Sequence, residues 1–383
     1  MNRVVCLTEQ FERNEIIKTP KNICVNDLLL DIFKKIEAEN VIYSPVSLLF
    51  ALGLLSLGAN NETKIKLEEA FSAEIEDLSI ALNNKLNLLT GIKGSTILKI
   101  GNSVWIDNNY KIKKLYLQKV ADYYNGDIYS GVLSSDEVLD EVNSWVERNT
   151  NGLIKKLHEE NYQASIKTIL INTLYFKANW MTQFKKESTR KKVFRIDDKR
   201  TVKVDFMNMS EYLNYYEDKE CQATILPYSD GRVEMILIKP KRGIKKVIEK
   251  IDNEFIKLIS QTENYQYIKL SLPKFNVDFT INFKSLLAQT PLKIIFEDNA
   301  DFTKISNDSL VVSDVLQKVK IIVDEAGTEA AAVTEIMLMK AMIPPASYLN
   351  LNFNKPFIYV IHDKKTNSIL FIGTLDNPAT KQE

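Results

Sequence analysis

The chain has 383 residues, 45% of them hydrophobic and 26% charged, ordinary proportions for a soluble globular protein long enough for one large domain or several small ones. Its 50 Lys and Arg balance 50 Asp and Glu, which leaves no basic field for nucleic acid and no acidic one for cationic partners. Three scattered cysteines (Cys6, Cys24, Cys221) form no disulfide framework and no CxxC zinc pair, and two histidines, His158 and His362, leave metal and histidine chemistry little material.

The opening "MNRVVCLTEQFERNE" lacks an apolar core of signal-peptide length. The cytoplasm is therefore the default compartment, with non-classical secretion the alternative. Sequons at Asn61, Asn208 and Asn307 matter only on that alternative. Val25 to Ala38 carries apolar residues at helical spacing. Ser44 and Pro45 then open a second helix as cap and first-turn proline. Its run from Val46 to Ala59, 14 residues, is short for a membrane span and suits a buried core helix. Two more helices follow over "NNETKIKLEEAF" and "DLSIALNNKLNLLTGI".

Thr96 to Asp107 changes to β-type content, and "SDEVLDEVNSWVERNTNGLIKKL" returns to helix and breaks at Gly152. Ala164 to Trp180 reads as one long buried strand. From Thr201 onward strands dominate, over "TVKVDFMNM", "CQATILPYS", "VEMILIKP" and "YIKLSLPKFNVDFTI", with one helix, "GIKKVIEKIDNEFIKLI", among them. Helices first, strands later and no regular βαβ alternation predict one α+β domain over residues 1–383.

Catalytic signatures are missing: there is no GxGxxG, GxxxxGK[ST], HExxH or GxSxG. The acidic pairs Glu68–Glu69, Glu159–Glu160 and Asp197–Asp198 sit among lysines and polar residues and read as solvated faces rather than a glycosidase pair. Neither an enzyme nor a cofactor is expected. The basic group "KPKRGIKKVIEK" (Lys239 to Lys250) is either a weak polyanion site or a surface helix whose lysines face water.

One segment resists its composition. "DEAGTEAAAVTEIMLMKAMIPP" (Asp324 to Pro345) is rich in helix formers yet lies between β-rich runs. By alternation, Thr328, Ala330, Ala332, Thr334, Ile336 and Leu338 share one uncharged face, while Glu329 and Glu335 share the other. That is how a strand looks when one face is buried. No proline falls between Glu325 and Ile343, so every N–H there is free for a ladder, and Gly327 supplies backbone freedom at the near end. The segment has two credible states: an exposed loop and a central strand.

"VDEAGTEAAAVT" (Val323 to Thr334) resembles, almost letter for letter, the proximal hinge of the serpin family. Other matches follow in order: "NVIYSPVSLLFALGLLSLGA", "VNSWVERNTNGLI", "LINTLYFKANWMTQF", "LPKF" and "FNKPFIYVI". The chain is similar to a serpin over roughly Asn22 to Pro378, and the lack of a signal peptide resembles the intracellular branch. The resemblance implies three β-sheets, eight to nine helices and an exposed reactive-centre loop at about 325–347. It implies an inhibitor of elastase-, chymotrypsin- or trypsin-like serine proteases, with cysteine proteases also open. The cleaved loop would stay bound to the protease as an acyl-enzyme, insert into the central sheet and distort it. A non-inhibitory serpin, acting as chaperone, carrier or storage protein, is the alternative.

Family positions carry over residue by residue. Glu325, Gly327, Thr328, Glu329, Ala330, Ala331 and Ala332 would form the mobile hinge. The scissile bond lies 14 positions past the hinge glycine, giving Ala341–Met342, with cleavage after Lys340 or Met342 as alternatives. Ser44, Ser47 and Asn172 match the polar cluster where the sheet parts, and Trp180 the tryptophan at the insertion point. Gln317 stands where the family commonly has a histidine. The implied state is a monomer prone to loop–sheet polymers, with no membrane or nucleic-acid partner.

Overall fold

The computed structural model describes residues 4–16, 26–92, 94–329 and 347–379. Its helices are α1 (Asn26–Lys34), α2 (Pro45–Ser56), α3 (Asn61–Phe71), α4 (Ile75–Thr90), α5 (Lys114–Tyr124), α6 (Asp136–Asn149), α7 (Ile244–Lys250), α8 (Asn253–Ser260) and the single turn α9 (Lys284–Leu287). The first strands are β1 (Val5–Cys6), β2 (Ile42–Tyr43), β3 (Ile97–Asp107), β4 (Asp127–Gly131), β5 (Thr168–Asn179), β6 (Arg190–Arg195), β7 (Thr201–Glu217) and β8 (Cys221–Pro227). The rest are β9 (Val233–Pro240), β10 (Tyr265–Pro273), β11 (Phe275–Asn282), β12 (Asp314–Val323), β13 (Gly327–Thr328), β14 (Leu349–Asn352), β15 (Phe357–Asp363) and β16 (Ser368–Leu375).

Seven strands make the central sheet, in the order β1-β4-β3-β5-β13-β12-β11. A second hydrogen-bonded path runs β14-β10-β7-β8-β9-β15-β16-β2, with β6 also on β7. It amounts to two sheets joined through one strand. The 17 residues of β7 pair with β10 and β6 over most of their length and with β8 only at Tyr215–Glu217. The expected three sheets are present in that sense, with nine α-helices among the described residues.

α2 explains how the layers join. Every residue from Pro45 to Ser56 is buried, so the helix has no polar face and must be covered all round. It touches β3 and β5 on one side and β16 on the other. Ser44 caps it, its hydroxyl accepting from the Ser47 N–H at 3.2 Å. On the opposite face of the central sheet, α6 lays Val138, Val142 and Trp145 over Trp105, Ile169, Ile171 and Leu316, a second and smaller apolar cluster.

Three sequence expectations change in detail. The single helix expected over Gly243–Ile259 is two, because Asp252 caps a fresh helix by accepting from the Phe255 N–H at 2.7 Å. The strand expected over Tyr267–Ile281 breaks at Lys274, sending β10 and β11 to different sheets. α5 is unforeseen: its tyrosines favour strands, yet Tyr116, Leu117, Val120, Ala121 and Tyr124 form one buried helical face.

Candidate functional site where the central sheet parts

β5 and β12 are parallel neighbours, but over only half their length. They pair directly from Asp314↔Ile169 to Lys318↔Thr173. Beyond that point β13 lies between them, antiparallel to both, with Thr328 opposite Val323 on one side and Ala178 on the other. The Glu329 N–H reaches the Ile322 carbonyl at 2.8 Å. Between the closed half and β13, Leu174–Lys177 and Val319–Ile321 have no ladder partner across from one another among the described residues.

The start of the segment expected to be the hinge is thus already a strand. Thr328 faces the core, 1% exposed, and its hydroxyl lies 2.6 Å from that of Tyr228. Glu329 points to the other face, where the Tyr175 hydroxyl donates to Oε1 at 3.0 Å. Burial pushes its carboxyl above the ordinary value. Glu329, not Gly327, holds a positive φ, +48°. Gly327 is needed for a different reason than the expected backbone freedom: a Cβ there would stand 2.1 Å from the Ala178 carbonyl oxygen.

The hinge is anchored at its root. Trp180, 3% exposed, stacks on Tyr228 with ring centroids 4.6 Å apart. Its Nε1–H donates to the Asp324 carbonyl at 2.9 Å and its backbone N–H to that of Ala326 at 2.9 Å. The Glu325 carboxylate, 7% exposed, accepts from Lys274 Nζ and from the Thr189 hydroxyl, each at 2.7 Å. Burial alone raises the Glu325 pKa, but those two donors outweigh it and hold the carboxyl below its ordinary value.

Below the closed half lies the polar cluster. Gln317 Oε1 accepts from the Ser44 N–H at 2.8 Å, and its Nε2 donates to the Ser44 carbonyl at 3.2 Å and to Asn172 Oδ1 at 2.6 Å. Asn172 Nδ2 donates to the Ser47 carbonyl at 3.0 Å and to Asn102 Oδ1 at 2.6 Å. Ser47 Oγ reaches the Thr173 carbonyl at 3.4 Å. Ser44 joins through its backbone while its hydroxyl caps α2, so the capping and clustering readings hold together. Glutamine satisfies both backbone groups of Ser44 and ties β12 to β5 with no titratable group.

Two substitutions test this. Gln317→Ala strands the Asn172 oxygen and the Ser44 N–H, while the Ser44 carbonyl keeps the Leu48 N–H, and it is expected to lower stability by about 3 kcal/mol, read from the thermal midpoint. Gln317→His is expected to keep the fold but import pH dependence. A buried imidazole resists protonation, so its folded pKa lies below the unfolded value of about 6.5. Stability is then lost as pH falls below that unfolded value. The midpoint difference from the parent should widen between pH 7 and pH 5, and a flat difference would refute it.

The structure gathers Ser44, Ser47, Asn172 and Gln317 into one cluster, and Trp180, Glu325, Gly327, Thr328 and Glu329 at the open end. Ala330, Ala331, Ala332, Lys340, Ala341 and Met342 lie outside the described residues. Sequence reasoning missed Tyr228, Thr189 and Lys274, although Lys274 stands inside the "LPKF" motif. Within the basic group, Lys241 pairs with Glu217 at 2.6 Å and Lys250 with Asp218, which neutralises part of it. His362 is buried among Glu234 and Asn367, a packing histidine.

The family model described as "Serpin (serine protease inhibitor)" matches residues 24–378. An uncharacterized serpin-like protein of Thermococcus kodakarensis is 32% identical over 92% of this chain and 85% of its own length. Alpha-1-antiproteinase 2 of Equus caballus is 29% identical, over 90% of this chain and 83% of its own. The native-state crystal structure of tengpin, a thermophilic serpin, superposes with a TM-score of 0.89 at 32% identity, covering 98% of this chain and all of that one. The chain belongs to the serpin family, whose members are generally protease inhibitors.

Proposed function

We propose that this protein inhibits serine proteases as a single-use substrate. The protease serine hydroxyl attacks the Ala341 carbonyl carbon, the Ala341–Met342 bond breaks, and Met342 leaves as a new amino terminus. The loop stays esterified to the protease. It then enters the central sheet from the hinge onward, and the attached protease is carried along and distorted before water completes hydrolysis.

The single observation that supports this reading is the register. Val323 and Ala178, the partners of Thr328, hold the same offset as Lys318 and Thr173, which still pair directly. β5 and β12 can therefore separate sideways without sliding. Each added residue of the loop finds a ladder partner on both sides. Continued in that register, Ala330, Ala332 and Thr334 take the core face after Thr328, and Thr334 arrives between Gln317 and Asn172. Small and uncharged residues stand where burial forbids charge.

The test is a denaturing gel of the protein mixed with elastase-, chymotrypsin- and trypsin-like serine proteases and a cysteine protease. A covalent band at the summed mass is expected. The released peptide should begin at Met342, whereas one starting at Ala341 or Ile343 would move the bond to the neighbouring position. Nicking by every protease with no covalent band would reject inhibition and leave a carrier, chaperone or storage role.

A further inference from the structure

Away from the parted strands, a cavity of about 940 Å³ opens between β7, β10, β14 and the chain from Thr182 to Lys192. Its floor is three rows of side chains on one sheet face, set by the pairing of the three strands. Asn208, Ser271 and Asn352 form the first row, Ser210, Lys269 and Asn350 the second, Tyr212 and Tyr267 the third. Rows two residues apart are separated by about 6.8 Å, so the floor spans about 13 Å.

The charges lining it do not balance. Lys185, Lys192 and Lys269 line it, while Glu211 alternates to the face of β7 opposite Ser210 and Tyr212 and its carboxylate accepts from the Tyr212 N–H at 2.9 Å. Lys192 enters over the first row and is held by neutral oxygens, Asn208 Oδ1 at 2.5 Å and Ser271 Oγ at 2.8 Å. An ammonium has three N–H donors, so one remains. Burial holds the Lys192 pKa below its ordinary value, the mark of a cation short of an anion. Lys269 lies over the Tyr348 ring at 3.6 Å, a contact that leaves its own N–H groups free to bind an acceptor.

One more feature narrows the ligand. At the far end Tyr212 and Tyr267 stand with ring centroids 5.1 Å apart, and Tyr212 is 38% exposed. Their planes are tilted by 60°, so they form an aromatic notch that a ring can enter and pack against.

We propose that this cavity binds a phosphate monoester carried on a flat ring. The phosphoryl oxygens of the dianion meet Lys192 and Lys269, and the ring packs against Tyr212 and Tyr267. A sulfate ester carries one negative charge where the phosphate monoester carries up to two. A phenol has the ring but not the charge at neutral pH.

Isothermal titration calorimetry with 2-naphthyl phosphate, without any protease, tests the site independently of inhibition. Saturable binding at one site is expected, weaker with 2-naphthyl sulfate and with inorganic phosphate, and lost with 2-naphthol. Lys192→Met, which keeps the aliphatic stem, should weaken binding by about tenfold or more. If that variant loses its melting transition, Lys269→Met carries the comparison, with about fivefold weakening expected. No heat at millimolar 2-naphthyl phosphate, unchanged affinity in a folded lysine variant, or equal binding of 2-naphthol would each overturn the proposal.

Discussion

Glu325→Lys is expected to form loop–sheet polymers at temperatures where the parent stays monomeric. The parent carboxylate is buried and takes two 2.7 Å hydrogen bonds, from Lys274 and Thr189, at the root of the hinge. Lysine there sets two ammonium groups against each other with no anion between them. Breaking a buried pair in this way costs about 3–5 kcal/mol, and the 39% exposure of Lys274 places this case at the lower end. The hinge root then loosens, and with it the strand that lies between β5 and β12.

The stretches of β5 and β12 that have no ladder partner between them among the described residues are what a second molecule would use. Leu174–Lys177 and Val319–Ile321 lie in a register already suited to a hinge strand, whichever chain supplies it. Size-exclusion chromatography after graded heating reads the result, and a Glu325→Lys protein as monomeric as the parent would count against the anchor. Glu325→Gln adds a pH signature. The folded pKa lies below the ordinary 4.5, so the carboxylate stabilises the fold above that value and the benefit fades as pH falls through the lower, folded value. The midpoint gap between parent and Glu325→Gln should therefore be constant from pH 8 to about 5 and close in stronger acid.

Alternation along the hinge was legible because it is a local property. Charges at Glu329 and Glu335, with small residues between them, define a buried face from the order of residues alone. Thr328 then falls on the core side and Glu329 on the other. The α2 helix was legible for the same reason: Ser44, Pro45 and an apolar run specify cap, start and burial together. What stayed hidden depends on pairings distant in sequence. Nothing local to Thr189, Tyr228 or Lys274 says that each meets residues 324–328 from a different strand or turn. The reason for Gly327 was hidden too, since the crowding comes from the Ala178 carbonyl. At Gln317 the sequence raised the question of how the sheet stays closed without a histidine, and only the three-dimensional pairing with Ser44 and Asn172 answers it.

Thr328→Arg is expected to turn the inhibitor into a substrate. Thr328 is the first inward residue of the inserting strand, packed between Val323 and Ala178 with its hydroxyl on Tyr228. A guanidinium there would have to leave water with no anion to receive it, a cost of several kcal/mol. Cleavage needs only an accessible loop and is unaffected. The unreacted protein escapes that cost by releasing β13, whereas the inserted strand cannot, so insertion is slowed, water hydrolyses the acyl-enzyme and active protease departs. The covalent band should fall at least about tenfold at equal protease, since 1.4 kcal/mol already corresponds to that factor. The cleaved variant should also miss the rise in melting temperature that insertion gives the cleaved parent. Glu329→Arg is the control, because that side chain points to the other face of the strand, partly buried beside Tyr175 rather than against the core, and the parent already carries an ionisable group there. If both substitutions lowered trapping equally, burial of the even-numbered face would not be what governs insertion. If Thr328→Arg trapped protease as well as the parent does, the strand would not enter between β5 and β12 at all.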